Sequence, residues 1–517
     1  FFLEVFLVWE KMIKILNNKI IFWISADLLT FCLAYFLQKN YNGEFYSITD
    51  ITNKPKKFFK EQNLVNFSKN WFLHDNIKIH KNPDLQYLKN FQNKFNIDLS
   101  ELVRNDRIFN HYNELYEFSQ EQINSILENE CKLFEMILDE ANPDYLITGE
   151  TALRPHHLFY EMCKQKGIKI LMLNHANWKT FCYISQNRHK IDYIKKIGDE
   201  EYDECSFEFL QNLWEKSKVS KHHSKFHSQI KNSKISLFKA AMKYLFSSNE
   251  NIKTHYTYFG RHKLKILYNE LQNSRIKKQR QQFIDLNLLQ NFENSNTPFV
   301  YLPLHQEPER SLLIAAPKFS DQIETIQEII KYLPENYELY VKEHPTQGTA
   351  RGWRDISFYQ KIMKYKKVKF FHPSFDSKTL LQNCKLVISA GGTSSFEAAF
   401  FGKPSIIFAD LGYSLIPSIK KLNNYYELKQ EIPDSLNVRV NPNHVYNYIK
   451  ILEENSFDFD ILNFEQSYHN WFFLNGNLVD VNIDVEKMKQ FLLHHENDLK
   501  YVSSEFMKKI NASSDSK

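Results

Sequence analysis

The stretch Cys384-Lys-Leu-Val-Ile-Ser-Ala-Gly-Gly-Thr-Ser-Ser-Phe-Glu-Ala-Ala-Phe-Phe-Gly-Lys-Pro-Ser-Ile-Ile-Phe-Ala-Asp410 decides the fold of the later half of this chain. Lys385 to Ala390 and Pro404 to Ala409 are short apolar runs with β-branched residues, so both read as buried strands of a parallel sheet. Between them lies a strand-turn-helix unit. Gly391 and Gly392 permit a sharp turn and close approach of the backbone to a ligand, and Thr393, Ser394 and Ser395 place hydroxyls where a helix begins. Such a helix start presents N–H groups and the positive end of its dipole to an anion. The stretch therefore predicts a phosphate-bearing ligand at the carboxyl edge of a doubly wound sheet. A second reading needs no ligand, because Ser394-x-x-Glu397 also fits a capping box.

Outward from this unit, length and composition set the frame. A chain of 517 residues exceeds what one hydrophobic core holds, which predicts two large domains with helical additions. Only 12 glycines stand against 43 phenylalanines and 28 tyrosines, which excludes collagen-like and low-complexity classes. The net charge of +5 is modest, but Trp214 to Gln281 holds 16 Lys or Arg against Glu215, Glu250 and Glu270. That local excess points to an anionic neighbour: a membrane surface, a charged glycan or a nucleic acid. The aromatics among these lysines form no stacking or groove-reading motif, so nucleic acid is the least favoured.

Cys32, Cys131, Cys163, Cys182, Cys205 and Cys384 are scattered without C-x-x-C spacing and read as reduced core residues of a cytoplasmic protein. The apolar opening Phe1 to Trp9 is interrupted by Glu4, is too short to span a bilayer and lacks a signal peptide's basic front and cleavage site. The chain does not begin with Met, so its true start is left open.

In the earlier half, Lys19 to Ser25, Leu28 to Gln38 and Glu44 to Thr49 read as strand, helix and strand, a βαβ opening with Asp27 at the carboxyl end of the first strand. Pro143 to Glu150 and Ile168 to Leu173 repeat that logic around a helix. Residues 205–290 contain no convincing strand, and Ile235, Phe238, Met242, Leu245 and Phe246 share one face of a basic amphipathic helix. That face either packs on the domain or docks on anionic lipid. In the later half, Phe299 to Leu304, Tyr337 to Lys342 and Val368 to Phe371 alternate with helices. The expected division is an N-terminal domain over 1–200, a basic helical insertion or linker over 201–293, a nucleotide-sugar domain over 294–455, and a C-terminal helical extension with a polar tail over 456–517.

Three loops should converge beyond the strand ends of the later domain: Leu304 to Arg310, Lys342 to Gly348 and Gly391 to Glu397. With their Glu-Pro-Glu, Glu-His-Pro and Gly-Gly-Thr-Ser-Ser-x-Glu-Ala motifs, they resemble the capsular polysaccharide biosynthesis family, GT-B glycosyltransferases related to Kdo transferases. The His-Pro motif and Ser/Thr-rich helix start are also similar to those of bacterial sialyltransferases that use CMP-sugars. The resemblance covers about Phe299 to Asp410. It implies an α/β, GT-B-like fold of two Rossmann-like doubly wound parallel-sheet domains facing a cleft.

The resemblance further implies that His344 and Pro345 border the nucleotide and its phosphate, that Thr393, Ser394 and Ser395 hold phosphate, and that Gln306 and Glu309 line the donor cleft. Arg310 can pair with a phosphate or a donor carboxylate. The loop reads Gln-Glu-Pro-Glu, one residue longer than a simple Gln-Pro-Glu, so which of Glu307 and Glu309 matches the family position stays open.

The implied activity moves a sugar, a CMP-linked acidic one favoured, from a nucleotide-sugar to a polysaccharide or glycolipid acceptor. No cofactor and no metal is implied, since N–H groups and side chains can carry the phosphate charge. The acceptor hydroxyl needs a base, for which Asp27 and Glu150 are candidates, although Asp27 also suits a helix cap. Arg154, His156, His157 and His175 lie in the same region of sequence and suit an acidic sugar. Two rivals remain: a UDP-sugar 2-epimerase, and a non-catalytic polysaccharide- or membrane-binding protein on the same scaffold. The expected place of action is the cytoplasm, and the inner face of the membrane if the basic region docks there.

Overall fold

The structure, a computed structural model, describes residues 18–111, 114–192, 205–217, 234–246, 255–292, 297–348 and 352–514. The apolar opening and much of the basic stretch lie outside them. The chain divides into two compact units, 1–192 with 220–263 and 456–517, and 193–219 with 264–455.

The first unit begins with β1 (Lys19–Ile24), α1 (Leu29–Asn40), β2 (Glu44–Thr49) and β3 (Lys69–Phe72). It continues with α2 (Gln120–Ala141), β4 (Tyr145–Thr148), α3 (Arg154–Gln165), β5 (Lys169–His175) and β6 (Phe181–Ser185). Ile20, Phe22 and Ile24 enter one hydrophobic core, while Ile21 and Trp23 enter another, the period of two expected of a strand covered on both faces. β1 to β5 pair in parallel in the order β5-β4-β1-β2-β3. The chain therefore runs outward through β2 and β3, then returns to set β4 on the other side of β1.

β6 departs from the expected all-parallel sheet: it pairs antiparallel with β5. The five residues between them are too few for the crossover that a parallel neighbour requires. β3 and β6 escape the sequence reading: β3 is half polar, and β6 takes its place from pairing with β5.

The middle of the chain forms α4 (Phe207–Ser217), α5 (Lys234–Phe246) and α6 (Lys263–Asn287), and the described residues between 205 and 292 contain no strand. The expected insertion is not one body. α4 and residues 264–292 belong to the second unit, whereas α5 belongs to the first.

The second unit adds β7 (Phe299–Pro303), α7 (Gln322–Tyr332), β8 (Glu338–Lys342), β9 (Val368–Phe371), β10 (Leu386–Ser389), α8 (Thr393–Phe400), β11 (Ser405–Ile407) and β12 (Ile419–Lys421). All six strands are parallel, in the order β12-β11-β10-β7-β8-β9. The strand order reverses between β7 and β10, where a doubly wound sheet opens its ligand crevice. Phe299 stacks on Tyr340 at 3.9 Å, and Phe371, Leu380 and Val387 join the same core.

The end of the chain returns to the first unit with β13 (Phe457–Asp458), α9 (Ile461–Phe472) and α10 (Glu496–Ser514). β13 pairs antiparallel with β6, so it runs in the direction of β1. Phe464, Phe491, Leu499, Val502 and Phe506 pack into the core that holds Phe22. Residues after 456 thus share with α1 the covering of one face of the first sheet, and α10 runs to Ser514. No helix among the described residues is long and apolar enough to cross a membrane.

Candidate functional site

The three loops of the second unit meet at the point where its strand order reverses. His305, directly beyond β7, is buried, and its Nε2 lies 3.0 Å from the Ser389 hydroxyl at the end of β10. The same nitrogen accepts from the Gly391 N–H at 3.2 Å, while Ser389 Oγ accepts from the Gly392 N–H at 2.9 Å. Burial, with the charges of His344 and Arg354 second, drives the His305 pKa down to about 3, so the ring is a neutral acceptor. A Cβ on Gly391 would come within 2.7 Å of Ala409 Cβ, so glycine is required by close approach there.

The β7 and β8 loops are joined as well. Thr346 Oγ1 donates to Gln306 Oε1 at 3.0 Å and lies 3.0 Å from His344 Nδ1. Glu307 N–H donates to Gln347 Oε1 at 2.8 Å, and Gln347 returns a bond to the Glu307 carbonyl at 3.1 Å. The Thr346 N–H also lies 3.3 Å from His344 Nδ1, so this nitrogen is held by the loop.

Arg354, buried, braces the assembly from behind. It donates to Glu343 at 2.9 Å and to the His305 carbonyl at 2.5 Å, and it pairs with Glu307. Glu307 also accepts from Gln322. Glu307 is therefore committed to the scaffold; burial pushes its pKa up and Arg354 pulls against that. Glu309 precedes the short helix Arg310–Leu313, and its carboxylate accepts the Ser311 hydroxyl at 3.1 Å. Arg310 is buried and Pro345 exposed.

In α8 the N-cap is Gly392, without a side-chain cap. Thr393 and Ser394 make no hydrogen bond through their N–H groups among the described residues, and the buried Ser395 hydroxyl has no partner. These are the groups an anion would satisfy. Glu397 stands apart from them. The helix starts two residues earlier than a capping box on Ser394 needs, so Glu397 falls beyond the third helical position. Its carboxylate instead accepts from Trp214 Nε1 of α4 at 3.2 Å, and burial lifts its pKa to about 7.

In the first unit, the strand order reverses between β1 and β4. Asp27 lies beyond β1, and its Oδ1 accepts from the Leu29 N–H at 3.1 Å, so it does serve the start of α1. Burial raises its pKa. Leu28 beside it has φ 58°, a strained conformation for leucine. A Cβ on Gly149, beyond β4, would stand 3.9 Å from Asp27 Oδ2, so the two strand ends are close. Glu150 pairs with Arg188 at 2.7 Å.

Glu465 on α9 joins this group unanticipated. Burial lifts its pKa to about 7, with the negative charge of Asp27 adding to the effect and that of Glu150 a smaller contribution. Neither spacing nor motif signals it, because it arrives from the far end of the chain. The cations near Glu150 in sequence are mostly occupied. Arg154 is buried against Asp106 at 2.7 Å and against Glu130, so it is structural and does not await an acidic sugar. His156 stacks on Trp23 at 4.5 Å and bonds Thr148 at 2.6 Å. His157 bonds Thr151 at 3.2 Å, and His175 accepts from the Asn177 N–H at 3.2 Å.

Among solved structures, the UDP-GlcNAc 2-epimerase of Methanocaldococcus jannaschii is 13% identical, with 85% of this chain and 99% of that chain covered and a TM-score of 0.25. Thermosulfurimonas dismutans KpsC, a beta Kdo 2,7 transferase, is 8% identical, with 68% and 87% covered and a TM-score of 0.28. A glycosyltransferase of Rickettsia africae is 11% identical, with 88% and 97% covered and a TM-score of 0.25. No curated protein matches the chain. Residues 209–425, which hold all three loops of the second unit, match the family described as capsule polysaccharide biosynthesis protein, and over that segment the chain is similar to this family as its motifs imply.

Proposed function

We propose that this protein is a glycosyltransferase of GT-B type in capsule or surface polysaccharide synthesis. The donor is a nucleotide-sugar, a CMP-linked acidic sugar favoured, held by the second unit. The acceptor, a glycan or glycolipid, is received by the first. The observation that carries this reading is the meeting of the β7, β8 and β10 loops around uncommitted N–H and hydroxyl groups at the strand-order reversal.

In this reading the N–H groups of Thr393 and Ser394 and the Ser395 hydroxyl neutralise the phosphate without a metal ion. His344 donates its Nε2 proton to the departing phosphate oxygen. Gln306, Glu309 and Arg310 orient the sugar and its charge, and Pro345 borders the base. Asp27 or Glu150 takes the acceptor proton, its affinity for that proton raised by burial in the case of Asp27. The six cysteines form no disulfide, which suits action in the cytoplasm.

The test is to incubate the full chain with CMP-, UDP- and GDP-sugars, with and without a polysaccharide acceptor. Nucleotide release that requires acceptor supports transfer. An isomerised sugar without acceptor would replace this reading with an epimerase, and no turnover with no thermal shift by any nucleotide would remove it.

A further inference from the structure

Three residues of the apolar stripe of helix α5 face outward. Phe238 is 66% exposed, Met242 37% and Phe246 82%. Spaced by four, they lie on one face of the helix. Ala240, roughly opposite them, is buried. An ordinary surface helix has the reverse arrangement, with its apolar stripe inward and its polar face in water. Lys239 and Lys243, both exposed, each follow a stripe residue by one position and so line one flank of the stripe. The helix contains no acidic residue.

We propose that α5 docks the protein onto an anionic lipid bilayer, with Phe238, Met242 and Phe246 entering the boundary of the acyl chains and Lys239 and Lys243 meeting lipid phosphates. Charge selects this occupant. A second copy placed antiparallel, stripe to stripe, would bring lysine against lysine, whereas an anionic leaflet complements both. The helix is 13 residues, roughly 20 Å long at 1.5 Å per residue, too short to span the hydrocarbon core. It therefore lies in the interface plane, and attachment through one short stripe and a few charges is reversible and sensitive to salt.

The experiment is co-sedimentation of the full chain with phosphatidylcholine vesicles, with and without phosphatidylglycerol. The expected result is at least about tenfold greater partitioning onto the anionic vesicles, lost in high salt. Phe238→Ser with Phe246→Ser, and separately Lys239→Gln with Lys243→Gln, should each reduce binding about tenfold at unchanged melting temperature. Because both lysines are exposed, their variant folds even if the serine variant does not. Equal partitioning onto neutral vesicles, no partitioning at all, or binding unchanged in the lysine variant would overturn the proposal. Concentration-dependent dimerisation abolished by the serine pair would also overturn it, assigning the stripe to a second copy.

Discussion

The imidazole of His305 accepts the backbone N–H of Gly391 at 3.2 Å, across 86 residues of sequence. Through this bond and the neighbouring Ser389 hydroxyl, the loop after β7 holds the turn after β10 in shape. The N–H groups nearest the glycines are consumed in fixing the turn, which leaves those of Thr393 and Ser394 for a ligand. His305→Ala should raise the KM for the nucleotide-sugar about tenfold while leaving kcat within a few-fold, since the histidine positions the turn without touching the phosphate. Gly391→Ala should do at least as much, because the added methyl meets Ala409. Initial-rate measurements over donor concentration check both.

His344→Ala and Ser394→Ala probe the chemistry itself. Loss of a general acid lowers turnover on the order of 10²–10⁴-fold. The serine change should cost less, about tenfold, because the backbone N–H survives substitution. Melting temperatures should stay close to that of the parent, since both residues are only partly buried.

Asp27→Asn and Glu150→Gln separate the two candidate bases. The true base should lose about 10²–10⁴ in kcat, and the acidic limb of its pH–rate profile should vanish. The other should lose far less. Glu150→Gln also frees Arg188, so a fall in KM selectivity for acidic acceptors without a change in pH profile would mark Glu150 as a positioning residue.

Arg154 gives a prediction in stability. Its guanidinium is buried between Asp106 and Glu130, so Arg154→Met should destabilise the first unit by about 3–5 kcal/mol, the cost of leaving carboxylates buried without their cation. Chemical denaturation checks this. A mild effect on folding with loss of acidic-acceptor binding would restore the ligand role first read for it.

Glu397 gives a prediction in pH. Its folded-state pKa is lifted to about 7 from an unfolded value of 4.5, so between these values the native state holds more protons than the unfolded state. Stability attributable to this group is highest below pH 4.5 and falls as pH rises through 7. Glu397→Gln keeps an acceptor for Trp214 Nε1 and removes that fall. The variant should match the parent near pH 5 and exceed it by roughly 1–3 kcal/mol at pH 8 in urea melts.

Much of the second unit is legible in its sequence because its strands are short apolar runs ending in glycine, proline or histidine loops. β9 was bounded to the residue, and β7, β8 and the strand before Gly391 to within one or two. The loops that meet were all readable as motifs. Hidden from sequence were their braces, His305 and Arg354, which act through atoms far apart in the chain. The capping box on Glu397 misled because it turns on where the helix starts, and Gly392 moved that start by two residues.

In the first unit, β6 and β13 were invisible: strands of five and two residues owe their pairing to neighbours rather than to their own pattern. The sequence by itself determined the alternation of strand and helix, the glycine turn and the stock of polar groups at strand ends, because these follow from local periodicity and backbone freedom. Only the tertiary structure decided that residues after 456 complete the first sheet, that Glu465 joins Asp27, and that three residues of the α5 stripe face outward. Each depends on which surfaces meet across the chain, and local periodicity specifies that a helix has an apolar face without specifying what covers it.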